Sequence, residues 1–256
     1  MSGNEEKIKE IKNNLSKEEV RFHKQHSDKL IQNENILSQI KKTEQKFKQN
    51  NYKGHSNRSC LVERYGDIPI VLSAPHAVKQ IRNSEVKMHE FYTGAIVECL
   101  AQQIGCACIT KQYLIENTTN DDPNTDNAYC SYKTAINQFL QEHEIKLFVD
   151  IHGLSSKRES IIDICIDNGK NVNDMTYVLA LQKCIENKFG ANTCSIDKYF
   201  QAFSDNIMSK WVHSNFDVSA IELEIKGAYR WFEGDTENQS LDLFLCLKEW
   251  LTGISF

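Results

Sequence analysis

No run of apolar residues approaches the roughly 20 that a membrane-spanning helix needs. No basic excess marks a nucleic-acid partner, since the formal net charge is -5. The start, Met1-Ser2-Gly3-Asn4-Glu5-Glu6, lacks the basic-then-apolar pattern of a secretory signal. Zinc-ribbon cysteine spacing is also missing. The nine cysteines are scattered and odd in number, and Cys99, Cys165, Cys184 and Cys246 lie in apolar surroundings, as reduced core thiols of a cytoplasmic protein do. Cys106 and Cys108 share a strand face but have no second pair to complete a metal site. There is no internal repeat. These absences argue against membrane and nucleic-acid roles and against a disulfide scaffold.

What is present divides into two parts. Up to about residue 50 there is no proline and no glycine after Gly3, while Lys, Glu, Asn and Gln abound. Ile8, Ile11 and Leu15 fall on one helical face. Ser16-Lys17-Glu18-Glu19 has the form of a capping box, which predicts a second helix start. Leu30, Ile31, Ile36, Leu37 and Ile40 continue a sparse stripe, too irregular for a coiled coil. Residues 1–50 therefore read as an arm of two or three helices, suited to packing on the body or to homo-oligomerisation. Residues 51–256 are long enough for one large domain, in a chain that is 40% hydrophobic.

In the body, apolar runs alternate with helical patterns. Strands are expected at 61–65, 68–73, 106–110, 146–152, 160–166 and 219–225. Helices are expected from Glu90 to Ile104, with Gly105 as terminator, and over 129–142, 174–189 (Asn173 as N-cap), 204–212 and 241–251. That alternation predicts a three-layer α/β/α sandwich with a mostly parallel mixed sheet. The polar loop from Glu116 to Asn127 has a length often reserved for function.

Chemistry-bearing residues fall at the predicted strand ends. His76 follows the strand that Pro75 stops. His152 closes the apolar run Lys146-Leu147-Phe148-Val149, two positions after Asp150 and on the same side, which suits a histidine with its orienting carboxylate. Gly153 lets the backbone turn away there. In open α/β sheets, ligands bind beyond such carboxyl ends. A histidine satisfied within a core loop is the plain alternative. Glu90 is equally explained as an acid favoured by a helix N-terminus. His89 beside it is a rival ligand, but only one of the two can face a metal. Two histidines and a carboxylate are the ligand set of an open catalytic zinc site, whose water ionises near pH 7. A further carboxylate is then needed as base and acid. Glu222 and Glu224 share a strand face and could serve, or they could face solvent from an edge strand.

Leu72-Ser73-Ala74-Pro75-His76, Glu90-Phe91-Tyr92-Thr93-Gly94, Val149-Asp150-Ile151-His152-Gly153 and Ile221-Glu222-Leu223-Glu224-Ile225 with Tyr229-Arg230 together resemble the N-formylglutamate amidohydrolase family, which has the zinc carboxypeptidase-like phosphorylase/hydrolase fold. The resemblance runs from about Ile68 to the C-terminus and leaves out the arm. It implies zinc held by His76, Glu90 and His152, with Glu224 as general acid/base. The chain departs from the best-known branch in its compact first loop and in the polar segment Asn120–Asp126, which bears on the substrate.

Substrates of this kind carry a carboxylate, which a guanidinium recognises. Arg158 is the first candidate, then Arg82 and Arg230. Asn127 and Tyr229 are candidate donors to substrate or oxyanion. The expected activity is zinc-dependent cleavage of a linear amide in an N-acyl amino acid or small peptide. The alternatives are a carboxypeptidase-like or cell-wall-peptide amidase, and a catalytically silent binding or scaffold protein.

Overall fold

A computed structural model describes the backbone over residues 3–55, 60–125 and 131–256, with side chains from residue 28 onward in those ranges. Helix α1 runs over Gly3–Tyr52, with non-helical dihedrals at Gln49, Asn50 and Asn51 and a positive φ at Tyr52. The separate helix expected to start at Ser16 does not exist. With no proline and no further glycine, nothing in this stretch breaks the backbone ladder.

The chain divides into two compact units, Met1–Gln39 and Ile40–Phe256. The last turns of α1 therefore belong to the second unit. There Ile40, Glu44, Phe47 and Tyr52 are all buried. A Cβ at Gly94 would come within 2.5 Å of the Phe47 ring, so glycine at that position is what lets the ring dock. Among the described residues no helix is long and apolar enough to cross a membrane.

The second unit is built on a seven-stranded sheet. Strands β1 (Glu63–Arg64), β2 (Ile70–Ala74), β5 (Ala107–Thr110), β6 (Leu147–Leu154), β7 (Ile162–Cys165), β8 (Cys194–Ile196) and β9 (Ser219–Lys226) stand in the order β1-β5-β2-β6-β9-β7-β8. The central strands β5, β2, β6 and β9 are mutually parallel. Strand β1 is antiparallel to β5, and β7 is antiparallel to β9. A separate hairpin, β3 (Gln80–Arg82) with β4 (Glu85–Lys87), precedes α2 (Thr93–Ile104).

Helices α3 (Tyr132–Glu142) and α5 (Met208–Phe216) cover one face, where Tyr132, Ile136, Met208 and Val212 pack on Val71, Phe148 and Ala220. Helix α2 packs on β2 and β5. Helix α6 (Glu237–Thr252) packs on α2 and on α4 (Thr176–Phe189), completing the other layer. The architecture is the expected α/β sandwich with an N-terminal helix.

Three element starts move. Helix α2 begins at Thr93, so Glu90 lies in a non-helical segment ahead of it and not in a first helical turn. Helix α4 begins at Thr176, and Asn173 bonds the carbonyl of Asp217 at 2.7 Å instead of capping. Helix α5 starts at Met208 because Ile207 keeps extended dihedrals.

The sheet changes character along one face. Residues two apart on a strand share a side. On β6 that side reads Phe148, Asp150, His152, and on β9 it reads Ala220, Glu222, Glu224. Each strand is apolar where α3 and α5 cover it and becomes ionisable toward its carboxyl end. Strand β9 lies between β6 and β7, so Glu222 and Glu224 are interior and buried, not on an edge.

Candidate metal centre

Three side chains converge at the carboxyl ends of β2 and β6. His76 follows β2 directly, and its carbonyl accepts the Glu90 amide at 2.9 Å, drawing the Glu90 segment over the strand end. Glu90 Oε1 lies 3.0 Å from His76 Nδ1, and Glu90 Oε2 lies 3.4 Å from His152 Nδ1. The two Nδ1 atoms are 3.1 Å apart. One ligand atom from each residue falls within 4.8 Å of the others.

The far side of each ring is held by a carboxylate. His76 Nε2 is 3.0 Å from Asp122 Oδ1, and His152 Nε2 is 3.0 Å from Asp150 Oδ2. Ionised carboxylates only accept, so each Nε2 is assigned the proton of the neutral ring. Both Nδ1 atoms then present lone pairs to each other and to the Glu90 carboxylate. In that neutral form three acceptors crowd together, an arrangement that either a proton or a metal cation resolves. Two imidazoles and one carboxylate fit the open zinc set, and the Asp–His pairs behind them are the usual outer support of such ligands.

The electrostatics show the same pull on positive charge, exerted on protons. Burial alone would lower the pKa of His76, but Glu90 and Asp122 outweigh it and raise it to about 9. Burial also opposes charge on His152, yet Asp150 and Glu90 lift it well above the imidazole range. Glu90 is held far below the usual carboxylate range because the two histidines overcome its desolvation. Asp122 is likewise held low, by His76 and then Arg82 against the cost of burial. Each shift has the sign of a site that draws in positive charge.

Gly153 is needed for space. Strand β6 continues through it to Leu154, so the turn expected there is absent. Its amide donates to Glu90 Oε2 at 2.9 Å, and a Cβ would sit 2.5 Å from Arg230 Nη2. Arg230 bonds the carbonyls of Ile225, at 3.1 Å, and Phe91, clamping the end of β9 to the Glu90 segment.

Two further carboxylates face the same centre. In the β6–β9 ladder Glu224 stands beside His152, and Glu222 beside Asp150. The Oε2 atom of each is buried without a hydrogen-bond partner among the described residues. Desolvation raises the pKa of Glu222 to about 7 and of Glu224 to about 8. Asp150 is fully engaged, accepting from Ser73 Oγ at 2.6 Å as well as holding His152.

The remaining candidates are spread more widely. Arg82 pairs with Asp122, its Nε donating at 2.7 Å. Arg158 is exposed and lies over the Tyr199 ring. Tyr229 packs edge-on against Phe189. Asn127 lies outside the described residues. His89 points away from Glu90 and stacks on Tyr52, with ring centroids 3.4 Å apart. Two contributors belong to no motif of the sequence. Asp122 backs His76, and Asn124 Nδ2 lies 3.4 Å from His152 Nε2. Their only signal is the length and polarity of the loop that carries them.

No family model matches the chain, and no curated protein matches it. Solved structures do. The gene product Atu2144 from Agrobacterium tumefaciens is similar at 14% identity with a TM-score of 0.51, over 76% of this chain and 94% of that one. N-formylglutamate amidohydrolase from Ralstonia eutropha JMP134 is similar at 10% identity with a TM-score of 0.50, over 75% of this chain and 98% of that one. At such identities the likeness is one of architecture. The chain has the fold of an N-formylglutamate amidohydrolase.

Proposed function

We propose that the protein is a zinc-dependent hydrolase that cleaves a linear amide of an N-acyl amino acid, N-formyl-like in size, or of a small peptide. The observation that carries this reading is the convergence of His76, His152 and Glu90, one ligand atom of each lying within 4.8 Å of the others and each ring backed by a carboxylate at 3.0 Å. His76, Glu90 and His152 would hold the metal. Zinc in that position supplies a water ionised near neutral pH and polarises the amide carbonyl.

The chain's own groups then divide the work. Asp122 and Asp150 fix the ring orientation of the two histidines. Glu224, desolvated and beside His152, takes a proton from water and returns it to the leaving amine. A pKa near the working pH suits both halves of that task. Glu222 lies one step down the strand, opposite Asp150, and is the alternative acid. Of the three arginines, Arg230 packs against Gly153, whose amide touches Glu90. It is the one we place toward a substrate carboxylate.

The test uses a panel of N-formyl, N-acetyl and dipeptide substrates. On the one that is cleaved, Glu224→Gln is expected to lower turnover by roughly 10²–10⁴-fold, as loss of an acid–base group does, with zinc content unchanged. Full activity in Glu224→Gln, with Glu222→Gln inactive but still zinc-loaded, would move the role to Glu222. Full activity in both variants would remove the mechanism.

A further inference from the structure

Lys111 follows β5 and is fully buried. Its Nζ donates to Asp121 Oδ2 at 2.7 Å, to the Tyr113 carbonyl at 3.0 Å and to the Lys79 carbonyl at 3.2 Å. All three ammonium donors are thus used. Asp121, also fully buried, accepts the amide of Ile115 at 2.8 Å and that of Ile81. Its own amide donates to the Ile81 carbonyl at 3.0 Å. One buried ion pair therefore joins three stretches: 79–81, just after His76; 113–115; and the loop at 121.

That loop is the one that backs His76. The residue after Asp121 is Asp122, which holds His76 Nε2, and Asn124 packs beside His152, its Nδ2 3.4 Å from Nε2. Asn124 is fixed from its other end, where its Oδ1 accepts the Met208 amide at 3.1 Å. As a device for stability alone, a buried ion pair is a poor choice, because desolvation offsets much of its attraction and well-packed apolar residues serve as well. What it supplies here is a defined spacing between the His76 segment and the loop that orients His76.

We infer that Lys111 and Asp121 are a positioning pair for the metal centre, acting through Asp122 on His76. This rests on the metal reading above. Loss of an outer-shell partner typically weakens metal binding 10–100-fold. Lys111 acts one contact further out, so about tenfold is expected.

The experiment is zinc affinity by competition with a chromogenic chelator, together with the visible spectrum of the cobalt form. It compares full-length wild type, Lys111→Met, Asp121→Asn and Leu181→Ala. Leu181 is fully buried in α4, which packs on α6, and controls for lost stability as such. Lys111→Met should bind zinc about tenfold more weakly with an altered cobalt spectrum, while Leu181→Ala binds as wild type does. If Lys111→Met fails to fold, Asp121→Asn, which keeps the shape and removes the charge, carries the same expectation. Wild-type affinity in the folded Lys111 or Asp121 variants overturns the inference, as does an equal loss in Leu181→Ala. A wild-type protein that takes up no zinc overturns the metal reading itself, and this inference with it.

Discussion

Glu44 is an acid 1% exposed, and its Oε1 accepts from the Tyr52 hydroxyl at 2.8 Å and the Tyr92 amide at 3.1 Å. Desolvation outweighs those bonds and raises its pKa to about 7. The folded state then holds this proton more tightly than the unfolded chain does. The stabilisation is complete below the ordinary glutamate pKa and is lost as pH rises through about 7. Such a shift corresponds to about 3 kcal/mol. Denaturant melts from pH 5 to 8 should therefore fall more steeply for wild type than for Glu44→Gln, which cannot titrate. Parallel pH profiles would contradict the assignment. Other residues differ in how far the sequence exposes their roles. Asp150 is legible as the partner of His152 because strand alternation places residues two apart together. Asp122 is not, since it meets His76 only when a loop with no periodicity folds back across β2. Gly153 reads in the sequence as a turn, whereas in the fold it leaves room for the Arg230 guanidinium, which comes from beyond the end of β9.

Among the elements, the buried parallel strands are the most legible. Their apolar runs are too short for helices and are continuous, as strands covered on both faces must be. The β3–β4 hairpin is not legible, because Gln80–Lys87 has little apolar content and its turn, Asn83-Ser84, relies on two positive-φ residues other than glycine. Helix α1 is legible as a helix but not in its length or inner boundary. That boundary matters for truncation. The second compact unit starts at Ile40, ahead of the expected division at residue 50. Removing residues 1–39 should leave a cooperatively melting protein. Removing residues 1–50 should destabilise it strongly, since losing Phe47 and Ile40 from a packed core costs roughly 2–5 kcal/mol for each side chain. Thermal melts by circular dichroism compare the two. Equal stability of both truncations would mean that the end of α1 contributes nothing to the body.

At the scale of the second unit, the strands that carry Asp150, His152, Glu222 and Glu224 bring these groups to one end of the sheet. Strands β2, β6 and β9 run parallel and turn from apolar to polar in register, so one end of the sandwich is core and the other carries the candidate site. The crevice beyond the carboxyl ends of parallel strands is where such folds bind ligands. The central claim is that His76, Glu90 and His152 hold one metal ion. Its most direct test is the zinc content of the purified protein, stripped, reloaded and dialysed. About one zinc per chain is expected for wild type, with loss in both His76→Ala and His152→Ala because each variant leaves only two of the three ligands. Full zinc content in both variants would contradict the account.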